Sequence, residues 1–239
     1  MVEYQRIEPD APQYPRALFK SHRSPPTLYA IGNVDLLSRC GVGICGSRDA
    51  TGAALEHAYE FGVSCAQSGF IVVSGYARGV DREAHRGALR GGGATIAVLP
   101  EGINYFTLTR ELQGLAKLDD NFLALSMFEP DAPWTVWNAT KRNELIVGLS
   151  EGLFVIEARE KGGTLRAAQE CMKQRKALWV IDYEKKTRQR KGNEMLLSLS
   201  ATAIKTRQDL RAILENVKER STTHEEQMVL PAGGFQRAG

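Results

Sequence analysis

Between residues 41 and 182, short unbroken apolar runs alternate with amphipathic segments, and this rhythm restricts the fold more than any other feature of the chain. The apolar runs are GVGICGS (41–47), FIVVSG (70–75), ATIAVLP (94–100), FLALSMF (122–128), GLFVIEA (152–158) and KALWVID (176–182). Between them lie helical patterns at 50–69, 80–92, near 107–117, 136–150 and 163–174. A strand that is apolar at every position is buried on both faces, which requires helices above and below a parallel sheet. The spacing suits right-handed βαβ crossovers. The expected fold class is therefore α/β: a doubly wound, mostly parallel, Rossmann-like sheet.

The rest of the chain lacks this rhythm. Residues 1–38 carry prolines at 9, 12, 15, 25 and 26 and are expected as an irregular or helical N-terminal segment ahead of a 39–217 domain. Residues 218–239 are polar and glycine-containing, as expected of a disordered tail. With 239 residues, 43% hydrophobic content and a net charge of +3, the composition is that of one ordinary globular domain. Cys40, Cys45, Cys65 and Cys171 form no C-x-x-C pair and are expected as buried, reduced thiols rather than metal ligands or disulfides. There is no apolar leader and no run of membrane-spanning length, so a cytoplasmic location and no membrane partner are expected. No metal and no cofactor is expected.

In doubly wound sheets, ligands lie beyond the carboxyl ends of the strands. Three glycine-containing loops reach that edge: CGSRDATG (45–52), SGYARGVD (74–81) and EAREKGGT (157–164). Glycine lets the backbone approach a ligand, and the helix that follows offers free N–H groups to an anion. Ser47, Arg48, Ser74, Gly75, Arg78, Gly162, Gly163 and Thr164 are the candidate phosphate-binding residues on these loops. Lys141, Arg142 and Asn143 add a polar cluster ahead of an apolar helical stretch.

Asp81 and His85 are four residues apart on one helical face. No nucleophile accompanies them, so their expected role is architectural, with His85 bonded to Asp81 or to a neighbouring loop. Arg78, Arg82, Arg86 and Arg90 recur every fourth residue, away from the stripe marked by Ala84 and Ala88. They are expected as a solvent-facing basic ridge, a track for a polyanion extended by Lys185, Lys186, Arg188, Arg190 and Lys191. Tyr76, Tyr105 and Phe106 are candidates for base stacking. Glu157 ends a strand, where a carboxylate can orient a ribose or cap a loop.

GICGSRDATG, IVVSGYARGVDREAHRGAL, TIAVLPEGI, KRNELIVGLSEGLFVIEA and GGTLRAAQ follow one another in the order and spacing of the DNA-processing protein A family, also called Smf. The resemblance extends over residues 14–205, including YPRALF and PPTLYAIGN. It implies a Rossmann-like domain that binds single-stranded DNA in a basic pocket and hands it to a RecA-type recombinase during DNA uptake and recombination, as in natural transformation. It also implies a homodimer without catalytic activity. Arg48 matches the pocket-lining arginine of the family's glycine-serine-arginine motif, and Ser47, Arg78, Arg142 and Asn143 fall in matching motifs.

The chain departs from the family pattern at GINYFTLTREL, where Arg110 stands in for a second basic contact, and at KGG and VIDYEKK. No winged-helix pattern follows residue 217. Two other functions fit the same loops: a sensor of a small phosphorylated nucleotide, and a phosphoribohydrolase-like enzyme. The latter resembles families with a PGGxGTxxE loop, but Ala167 stands where their glutamate belongs.

Overall fold

The structure, a computed structural model, describes residues 3–21, 24–199 and 201–229. The six expected strands form as β3 (Gly41–Cys45), β4 (Ile71–Ser74), β5 (Thr95–Val98), β6 (Phe122–Ser126), β7 (Gly152–Val155) and β8 (Ala177–Ile181). The intervening helices are α2 (Gly52–Gln67), α3 (Val80–Arg90), α4 (Val136–Gly148) and α5 (Gly163–Lys173). The chain begins with β1 (Gln5–Ile7), α1 (Ala17–Ser21) and β2 (Leu28–Gly32), and it closes with α6 (Lys191–Ser198), β9 (Thr202–Ile204) and α7 (Arg207–Val229). Among the described residues, nine strands join one sheet in the order β1-β2-β6-β5-β4-β3-β7-β8-β9. From β6 through β9 every pairing is parallel, while β1–β2 and β2–β6 are antiparallel. The fold is a doubly wound, mostly parallel α/β sheet.

Alternate residues of the central strands feed two core layers. Val42 and Ile44 of β3 and Phe154 of β7 pack with α2, α3 and α7 through Ala58, Phe61, Ala84, Ala88, Leu210 and Leu214. Val73, Leu153 and Val155 point the other way, onto Leu145 and Ile146 of α4 and Ala168 and Cys171 of α5. Burial of both faces explains why these strands read as continuous apolar runs. Helices α2 and α3 lie in close contact: a Cβ at Gly87 would come 2.1 Å from the Tyr59 carbonyl oxygen, and one at Gly62 would come 2.3 Å from that of Ala84.

Three expectations are corrected. The segment expected to be irregular or helical holds α1 and the 3-10 helix Val34–Ser38, but it also supplies two strands, β1 and β2, to the edge of the main sheet. Their runs are too short for periodicity to reveal, and pairing of β2 with β6, and of β1 with β2, decides their conformation. The helix expected near 107–117 is a series of turns after the 3-10 segment Ile103–Tyr105. Its apolar residues have helical spacing, yet Gly114 adopts φ +76°, a conformation that no α-helix uses. The tail expected to be disordered from residue 218 is helical to Val229, continuing from turns docked by Leu210, Leu214 and Val217. Residues 230–239 lie outside the described residues.

Candidate functional site

Chain direction fixes where a crevice can open. From β3 the sequence winds outward through β4, β5 and β6, then returns to place β7 on the other side of β3. The loops leaving β3 and β7 therefore diverge, and a crevice lies between them at the carboxyl edge. A cleft of about 410 Å³ occupies this place. Ser47, Arg48, Arg142, Asn143, Gly162, Gly163 and Thr164 all line it, so seven of the candidate residues are brought together. A second cleft, lined by Gly75, Tyr76 and Arg78, shares Arg48, Ala77, Trp134 and Arg142 with the first. The two form one groove around Arg48.

Local structure holds each residue in place. The Ser47 carbonyl accepts from the Val80 amide at 3.2 Å, tying the Arg48 loop to the start of α3. Gly79, at φ +82°, permits that approach, because a Cβ there would lie 2.4 Å from the Ser47 carbonyl oxygen. Arg48 projects into solvent, with its Cζ 5.8 Å from the centre of the Trp134 ring. Arg142 is buried beneath it and donates from Nη1 to the Val98 carbonyl at 2.8 Å. Asn143 Nδ2 donates to the Gly163 carbonyl at 3.3 Å, coupling α4 to the entrance of α5. Arg166 Nη1 donates to Thr140 Oγ1 at 2.8 Å on the same rim.

The electrostatics are mixed. Burial pushes the Asp81 carboxyl up against the opposing influence of Arg142, the Ala77 amide and Ser74. Burial also raises Glu101, again opposed by Arg142. The Arg142 guanidinium is lowered by burial. Arg142 thus lies near two carboxyls raised by burial, Asp81 at the main cleft and Glu101 at the adjoining one, with the exposed Arg48 above them.

His85 is architectural, as expected, but its partner is not Asp81. Thr95 Oγ1 donates to the Val72 carbonyl at 2.7 Å and so must accept from His85 Nδ1 at 2.6 Å. The imidazole is buried against Tyr76 and Phe122. Glu157 is also structural: it is fully buried, accepts from the Thr51 amide and hydroxyl at 3.1 and 2.7 Å, and lies 3.7 Å from Arg190 Nε. It anchors the start of α2.

Several other candidates have structural roles or carboxylate partners. Ser74 is buried outside both clefts and donates to the Ile44 carbonyl at 2.6 Å. Gly75 contributes space: a Cβ there would sit 1.9 Å from Arg142 Nη1. Three of the four arginines of the expected ridge have carboxylate partners, while Arg90 is exposed at the end of α3. Arg78 precedes α3 and pairs with Asp49 at 2.5 Å, Arg82 pairs with Glu111, and Arg86 pairs with Glu83 while covering the Tyr59 ring. Arg190 is folded over Tyr183, and Lys191 pairs with Glu160. Arg110 is exposed and lines neither cleft, and Lys141 pairs with Glu144. Spacing places arginines on a face but does not identify the carboxylates opposite them.

The aromatic candidates also differ. Phe106 and Tyr76 pack in the core, and Tyr76 Oη donates to the Thr107 carbonyl and accepts from the Thr109 amide. Trp134, which sequence reasoning missed together with Arg159, Lys161 and Arg166, is half exposed at the groove. Its signal was an unexplained tryptophan in a proline-bounded loop.

Among the described residues no helix is long and apolar enough to cross a membrane, and no group of three or more His, Cys, Asp or Glu could hold a metal ion. Burial raises the thiols of Cys45, Cys65 and Cys171.

A doubly wound domain with arginines and a tryptophan gathered at its switch point is, by class, a Rossmann-like domain with an arginine-lined cleft. A sequence model of the DNA recombination-mediator protein A family matches residues 5–215, and the chain belongs to that family. It is 35% identical over 169 residues to Protein Smf of Synechocystis sp., an alignment covering 69% of this chain and 42% of that relative. The chain thus spans less than half the length of that protein. The structure of DNA processing protein A from Streptococcus pneumoniae superposes with a TM-score of 0.79 at 26% identity, over 88% of this chain and 74% of that one. That of Helicobacter pylori gives 0.77 at 26% identity, covering 91% and 97%, and concerns that protein's single-stranded DNA binding mode.

Proposed function

We propose that this chain is a single-stranded DNA-binding module of DNA processing, without catalysis of its own. The observation that carries the reading is the Arg48–Trp134 pair at an arginine-lined groove. Single strands are held by cations that follow the phosphates and by aromatic faces on which unpaired bases stack. A duplex hides its bases and offers nothing to Trp134. Membership of the family supports the same assignment, as does the likeness to the Helicobacter pylori protein. Protection of the strand, its delivery to a RecA-type recombinase and action as a homodimer are the further parts of this proposal.

A hydrolase reading has little to support it, because the cleft carries the Ala167 methyl where an acid–base carboxylate is needed. A nucleotide sensor would use the same contacts as a strand. Fluorescence titration with oligo-dT and with a duplex of equal length across a salt series separates these cases. The expected result is at least about tenfold tighter binding of the single strand, with log affinity falling by about 0.7 per log unit of salt for each phosphate engaged. Equal affinity for both forms would refute the proposal. A retained nucleotide in native mass spectra, with no affinity for oligo-dT, would transfer the site to a sensor.

A further inference from the structure

The three glycine loops at the carboxyl edge share a single carboxylate. Asp49, next to Arg48 on the loop after β3, holds Arg78 of the loop after β4 through Oδ1 at 2.5 Å. Its other oxygen, Oδ2, lies 3.5 Å from Nη2 of Arg159, on the loop after β7. Asp49 and Arg159 line the main cleft and Arg78 the adjoining one, so the bridge crosses the groove. All three side chains are at least half exposed.

A carboxylate held between two guanidinium groups has the charge, the planar acceptor geometry and the partners of a phosphate oxygen pair. We propose that Asp49 is an internal competitor for the nucleic-acid backbone: it occupies Arg78 and Arg159 until strand phosphates displace it. The inference rests on the single-strand reading of this groove. Its physical basis is the weakness of the bridge. Exposed ion pairs are screened by water and salt, so exchanging them for phosphate contacts costs little. The exchange still subtracts from binding, because the two pairs must be broken and the displaced carboxylate, left beside the phosphates, takes up a cation that offsets part of the release from the strand. Asp49 thereby sets a moderate affinity and an easily reversed complex, which suits a protein that must give its strand up.

The test compares wild type, Asp49→Asn and Glu215→Gln in oligo-dT titrations across a salt series. Glu215 is exposed on α7 and lines neither cleft, so its variant matches the charge change without touching the bridge. Asp49→Asn is expected to bind roughly three- to tenfold more tightly at low salt, with a steeper salt slope because no displaced carboxylate is left to take up a cation. Glu215→Gln should match wild type. In an Arg78→Gln/Arg159→Gln background the gain from Asp49→Asn should vanish, because its partners are gone.

Wild-type binding that Asp49→Asn leaves unchanged or weakens overturns the inference while the single-strand reading stands. A gain that persists in the double-glutamine background also overturns it, since it would then be simple charge repulsion. Failure of every protein to bind oligo-dT removes both the inference and the reading.

Discussion

The protein is expected to lose stability as pH falls below 6.5, and His85→Gln is expected to flatten that loss by one proton's worth, about 1.4 kcal/mol per pH unit. Burial drives His85 from 6.5 down to about 3, and the nearby positive charges of Arg142 and Arg82 push the same way. The unfolded chain takes up a proton near pH 6.5, whereas the folded imidazole, with Nδ1–H committed to Thr95, refuses one until about pH 3. The unfolded state thus binds more protons throughout that window. The contribution of His85 is complete above pH 6.5 and lost progressively below it. Asp81 and Glu101 work oppositely, since carboxyls raised in the fold lose their contribution as pH rises. The difference between wild type and variant therefore isolates the histidine. Urea unfolding of both proteins between pH 7.5 and 4.5 measures it, and parallel curves would sink the assignment.

The same buried layer explains which parts of the fold were legible in the sequence. Strands β3 to β8 declared themselves because each is covered on both faces, leaving runs such as Ile71–Ser74 without a polar residue before their end. β1 and β2 did not, because their strand character comes from pairing: β2 pairs with β6, nearly a hundred residues away, and β1 pairs only with β2. Leu108, Leu112 and Leu115 mimicked a helix because a patch docked through turns needs apolar residues at similar intervals.

The site was legible where backbone requirements set the residue. Glycine-bearing loops at strand ends located Ser47, Arg48, Gly162, Gly163 and Thr164 without knowledge of strand order. Side chains whose role depends on a partner were opaque. Arg78, Arg82 and Arg86 look free in one dimension and are paired in three. Trp134 has no periodicity to mark it, and only the approach of its loop to Arg48 places it at the groove.

Arg48→Ala is expected to weaken oligo-dT binding by roughly ten- to a hundredfold, the range that corresponds to one charge-assisted phosphate contact of about 1.5–3 kcal/mol. Its guanidinium is exposed and rests against Trp134 without a carboxylate within ion-pair distance among the described residues, so its charge is available to a ligand. Exposure also means that removal should leave unfolding midpoints nearly unchanged, which separates a lost contact from a lost fold. The salt slope should fall by about 0.7 as one phosphate contact disappears. Trp134→Ala should weaken binding comparably while leaving the slope intact, because stacking releases no counterions. The two losses should not add, since the guanidinium and the ring touch and each orients the other. Arg48→Lys divides the effect further. It restores the charge and hence the slope, but a lysine has neither the planar face for Trp134 nor the fork for two phosphate oxygens, so affinity should recover only in part. If Arg48→Ala left both affinity and slope at wild-type values, the strand would have to run elsewhere on the molecule.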